Sequence, residues 1–68
     1  MDPQEIFQLL IDADEKLKYA KPGVQDVRVE QARELVNKAR DAAVEIGNDA
    51  LVAQAEARLA DLESISGA

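Results

Sequence analysis

The chain has no cysteine and no histidine. The first absence excludes disulfides and thiolate metal sites. The second removes the commonest general base and the commonest metal ligand. Threonine is missing too, so the side-chain hydroxyls are Ser64, Ser66 and Tyr19, with no imidazole to activate any of them. Nucleophilic catalysis therefore has almost no raw material. The three glycines, Gly23, Gly47 and Gly67, lie too far apart for a phosphate-cradling loop. Positive charge is scarce as well: eight Lys and Arg against fourteen Asp and Glu give a net charge of −6. Phosphate-backbone binders carry a basic patch, and single-strand binders interleave it with aromatics. Here Arg33, Lys38 and Arg40 sit among acids with no aromatic between them. The expectation is a protein that is not an enzyme and uses no cofactor, no metal and no small-molecule substrate. It should bind neither nucleic acid nor membrane. The longest apolar stretch near the start, Leu9-Leu10-Ile11, is far too short to span a bilayer. The opening Met1-Asp2-Pro3-Gln4-Glu5 is acidic where a secretory signal is basic, which points to the cytoplasm.

What is present is helix-forming. Hydrophobic residues make up 47% of the 68, but 12 of those 32 are Ala, and 32% of the chain is charged. That composition is neither disordered nor membrane-spanning. A chain this short buries only about 60% of the surface exposed when unfolded, so modest stability is expected. Pro22-Gly23 and Gly47-Asn48 divide it into three segments. Each has the three-and-four spacing of an amphipathic helix, and none alternates like a strand.

The spacing predicts a first helix over residues 3–20. Asp2 suits the N-cap, Pro3 the first helical position, and Glu5 completes a capping-box pattern. Its core stripe is Ile6, Leu10, Ala13, Leu17 and Ala20, widened by Phe7, Leu9 and Ile11. Asp12–Lys16 and Asp14–Lys18 are acid-to-base pairs at i,i+4 on the wet side. A second helix is predicted from residue 25 or 26 to 46. Its stripe is Val29, Ala32, Val36, Ala39, Ala43 and Ile46, flanked by Leu35 and Ala42. Gly47 fits the left-handed position past its end. A third helix is predicted over residues 49–63 with Asn48 as cap. Val52, Ala55, Leu59 and Leu62 form its stripe, and Ala50, Ala53, Ala57 and Ala60 a second, thin face open to close approach. Short connections make neighbouring helices antiparallel. The expected fold is an all-α, three-helix up-down-up bundle forming one domain over residues 1–63, with a flexible C-terminal tail over 64–68. A long hairpin that completes its core as a dimer is the alternative.

Glu30-Gln31-Ala32-Arg33-Glu34-Leu35-Val36-Asn37-Lys38-Ala39 resembles the second helix of a tetratricopeptide repeat, with Ala32, Val36 and Ala39 at the family's small-large-small positions. Ala43-Val44-Glu45-Ile46-Gly47-Asn48-Asp49-Ala50-Leu51 resembles the turn into the next repeat, where Val52, Ala55 and Leu59 stand for the usual aromatic, Leu and Tyr. The likeness covers about 30 residues. It departs at Glu56, where the family has a small Gly, at Asp14, where it has Tyr, and in lacking the repeat-closing Pro. The resemblance implies tetratricopeptide-like helix packing and a protein-binding helical module without catalysis.

Two acidic groupings, Asp12/Asp14/Glu15 and Asp41/Glu45/Asp49, lack the glycine-pointed loop of a calcium site and read as solvated helix faces. Acyl carrier proteins carry their modified Ser at a helix start, whereas Ser64 falls at a helix end. The remaining signal is an apolar excess on the first helix, more than one face needs. Phe7, Leu9 and Ile11, with Tyr19, are the candidate protein-contact residues. Phe7 reads as core, with an exposed anchor as the alternative, and Tyr19 as a core-edge residue with a wet hydroxyl, with an interface anchor as the alternative. A groove between the first and third helices would accept an amphipathic helix from another protein. A self-associating structural bundle, with the same patch as a homodimer seam, is the alternative.

Overall fold

The computed structural model describes residues 1–18 and 25–66. They form α1 (Pro3–Lys18), α2 (Gln25–Glu45) and α3 (Asp49–Ser66). This is an all-α three-helix bundle. Helix α2 packs along both others, while α1 and α3 touch each other only sparsely. The Cα envelope measures 37 × 20 × 13 Å. The thinnest dimension is the depth of two helix layers, about 8–10 Å between axes plus about 2.3 Å of backbone radius on each side. Helices α1 and α3 run parallel in one layer, and α2 lies antiparallel across them.

Each helix start and stop has a local cause. The Glu5 amide donates to Asp2 Oδ1 at 2.8 Å, and the Ile6 amide to the Asp2 carbonyl at 3.1 Å. Asp2 is thus the N-cap, and the Glu5 amide holds its carboxyl below the ordinary carboxylate range. At the other junction, Gly47 adopts φ +71°. Its amide donates to the Val44 carbonyl at 3.1 Å, and the Asn48 amide to the Ala43 carbonyl at 2.9 Å. These two bonds make a Schellman motif, which satisfies carbonyls that the end of α2 would leave open. Asn48 then caps α3: its Oδ1 accepts from the Leu51 amide at 3.1 Å. One residue closes α2 and opens α3, so the turn needs only Ile46, Gly47 and Asn48.

The core is thin. Among the described residues the buried apolar set is Ile6, Leu10 and Ala13 on α1, then Val29, Ala32, Val36, Ala39, Ala42 and Ala43 on α2, and Leu51, Ala55 and Leu62 on α3. Six of those twelve are Ala, which lets helices approach closely but buries little area per residue. Ile6, Leu10, Leu62 and Val36 are the largest fully buried side chains. Leu17, Leu35, Val52 and Leu59 pack on the edge of this cluster.

Several expectations need correction. Ile46 is 40% exposed, because it lies beyond the last α2 residue and no longer follows the helical stripe. Leu51 is buried where Val52 was expected to lead the α3 stripe. Helix α3 continues to Ser66, past the expected limit at residue 63, since Ser64, Ile65 and Ser66 are not helix breakers. Ala20 of the expected α1 stripe lies outside the described residues, as does the Pro22-Gly23 break. Among the described residues no helix is long and apolar enough to cross a membrane.

Candidate docking groove

Among the described residues no polar or charged side chain is buried, and no buried side-chain polar atom lacks a partner. Nor do three His, Cys, Asp or Glu residues converge as a metal-holding group there. What the fold does leave open is the boundary between α1 and α3.

The sparse contact between these two parallel helices creates a groove at their N-terminal ends. It has a volume of about 680 Å³ and is lined by Pro3, Gln4, Phe7 and Gln8 on one wall and Asn48, Ala50 and Leu51 on the other. Leu51 is buried and belongs to the core, so the groove floor is continuous with the protein interior. Phe7 remains 44% exposed, one of the largest apolar surfaces on the bundle. Gln4, Gln8 and Asn48 supply amide groups at the rim. Farther along, the groove is closed by a clamp: Arg58 Nε donates to Asp14 Oδ1 at 3.0 Å and Arg58 Nη2 to Asp14 Oδ2 at 2.9 Å. Arg58 Nη1 also donates to the Gln54 carbonyl at 3.3 Å. This two-pronged pair ties α1 to α3 where their backbones barely meet.

The four predicted contact residues are not brought together. At about 100° per residue, Phe7 and Ile11 lie about 40° apart on the α1 flank that also carries Asp14, while Leu9 lies about 160° from both. Phe7 lines the groove. Ile11 is half-buried on the same flank. Leu9 is also half-buried, but it packs against the core cluster. Tyr19 lies outside the described residues. Sequence reasoning put Ala50 on a thin face open to close approach but missed Leu51, which lines the facing wall beside it. The signal for Leu51 existed in its spacing with Ala55 and Leu62, which defines the buried stripe. The pairing of Arg58 with Asp14, 44 residues apart, has no local signature.

The Ala face of α3 is exposed at Ala50, Ala53, Ala57 and Ala60. A second hollow of about 390 Å³ lies between α1 and α2, lined by Asp12, Glu15, Lys16, Arg28 and Leu35. It mixes both signs of charge around the side chain of Leu35. On the outer surface, Gln8 Nε2 donates to Asp12 Oδ1 at 2.9 Å, Arg33 pairs with Glu30, and Arg40 approaches Glu56 at 3.9 Å. No protein-family model, curated protein or solved structure matches the chain.

Proposed function

We propose that this chain is a small acidic helical protein-interaction module, working in the cytoplasm without catalytic activity. The observation that carries the reading is Phe7, held 44% exposed over an open groove whose floor is the core. A large aromatic left outside a thin core is costly in water and becomes favourable when a partner covers it. The groove suits a helical segment better than a small molecule, because it is open to solvent along its length and no charged group converges in it. The tetratricopeptide-like spacing of Ala32, Val36 and Ala39 agrees with a helical scaffold that presents such a surface. The lack of His, Cys and Thr supports a role without covalent chemistry.

Site-specific photocrosslinking tests this reading. A photoreactive phenylalanine analogue replaces Phe7 in one sample and Val27, 59% exposed on α2, in another. The expected result is a discrete heterologous adduct in the source cell from position 7 and none from position 27. Adducts only with a second copy of the chain would favour the homodimer reading. Equal, diffuse labelling from both positions would overturn the groove as an interaction site.

A further inference from the structure

The clamp at the closed end of the groove is built differently from the rest of the packing. The buried side chains of α1 and α3 join one cluster with α2, whose backbone lies close along both. Between α1 and α3 themselves, backbone contact is sparse. There the Arg58 guanidinium reaches across to Asp14 from two nitrogens, at 3.0 and 2.9 Å. Its third nitrogen donates to the Gln54 carbonyl one turn back on α3, which fixes where the guanidinium points. The Arg58 side chain is 23% exposed and that of Asp14 47%. The pair is well aimed, yet water and salt keep its strength low. Its position adds to this. Asp14 lies seven residues beyond Phe7, two turns of α1 or about 10.5 Å, with Ile11 half-buried between them on the same flank.

We propose that the Arg58–Asp14 clamp is a releasable ionic strap that sets how far the groove runs between α1 and α3. The inference rests on the interaction-module reading for its use, since the strap regulates the groove assigned there. With the strap closed, the groove is confined to the Phe7 end. With the strap released, α1 and α3 part at the far end, both still seated on α2, and the groove lengthens past Ile11. A pair worth little to the fold suits this role, because ionic strength alone shifts its population without unfolding the bundle.

Pairs of spin labels on the full chain test the strap. The chain has no native cysteine to label in the background. Glu15→Cys with Ala60→Cys places labels on α1 and α3 at exposed positions beyond the clamp. Glu15→Cys with Asn37→Cys labels α1 and α2 as the control. Distances are read by electron paramagnetic resonance at about 0.01 M and about 1 M salt. The α1–α3 distances should form one short population at low salt and gain a longer one at high salt. The ratio of short to long should fall about two- to fivefold, the range an exposed ion pair supplies. The α1–α2 distances should not change. Arg58→Gln should reproduce the shift at low salt. Asp14→Arg combined with Arg58→Asp should restore the short population, which a mere loss of folding would not allow. Identical α1–α3 distances with and without the pair would overturn the inference, because packing on α2 would then fix the groove. Lengthening of both label pairs together would overturn it too, because the clamp would then hold the fold and not the groove. The labels need no partner, so either failure leaves the interaction-module reading standing, and a failed crosslink at position 7 leaves the strap standing.

Discussion

The two seams along α2 and the boundary between α1 and α3 are built on opposite terms. Along α2, Ala32, Ala39, Ala42 and Ala43 let both neighbours approach, and Val29 and Val36 fill the remaining depth. No polar group enters that interior among the described residues. Between α1 and α3 there is no such layer. Backbones stay apart, the floor is Leu51, Phe7 stays half out, and the surface pair Arg58–Asp14 bridges the two helices. The seams along α2 hold the fold, and the α1–α3 boundary is left open. Burial along α2 supplies stability. The α1–α3 boundary adds little, because an exposed ion pair contributes no more than about 1 kcal/mol.

Breaking the dense side should have the largest effect. Leu10→Ala removes a fully buried side chain from the α1–α2 seam and should destabilise by about 3 kcal/mol in urea denaturation. A domain of this size has roughly 3–10 kcal/mol in all, so the variant should be close to unfolding at room temperature. Next comes the junction that sets the antiparallel order. Gly47→Ala meets nothing within 4 Å, so its cost is the left-handed φ alone. That cost is about 1 kcal/mol, or about 4–8 °C in Tm by calorimetry. Gly47→Asn should cost less, since Asn tolerates that conformation.

The open side should respond weakly. A double-mutant cycle on Asp14→Ala and Arg58→Ala should give a coupling of about 0.5 kcal/mol that shrinks with added salt. A coupling several times larger would mean that the clamp, and not α2, organises the bundle. The smallest effect is at Asp2. Its carboxyl is lowered by the Glu5 amide, so its contribution is complete above the ordinary carboxylate pKa of about 4 and is lost as pH falls below that through the lowered folded value. Asp2→Asn keeps a capping oxygen but cannot titrate. Its stability should lose that part of the acid dependence, as read from denaturation midpoints between pH 5 and about 2.

Much of the dense side is legible in the sequence. The stripes through Ile6, Leu10 and Ala13 and through Val29, Ala32 and Val36 follow helical spacing, and Asp2, Gly47 and Asn48 announce ends by their own backbone chemistry. Ile46 defeats the pattern because the stripe continues one residue past the helix that gives it meaning. The open side is hard to read for a physical reason: a groove is what two helices fail to cover, and that depends on the spacing between axes. Phe7 and Leu9 look equally apolar along the chain, yet one lines the gap and the other packs on the core. Arg58 reads as an ordinary surface base until the fold brings Asp14 to it.

Urea denaturation of Phe7→Ala beside Leu10→Ala separates the open side of the molecule from the dense one in a single experiment. Phe7→Ala should cost about 1 kcal/mol or less, as befits a half-exposed ring, and Leu10→Ala about 3 kcal/mol. A loss at Phe7 on the scale of Leu10→Ala would contradict an open α1–α3 boundary and return Phe7 to the core.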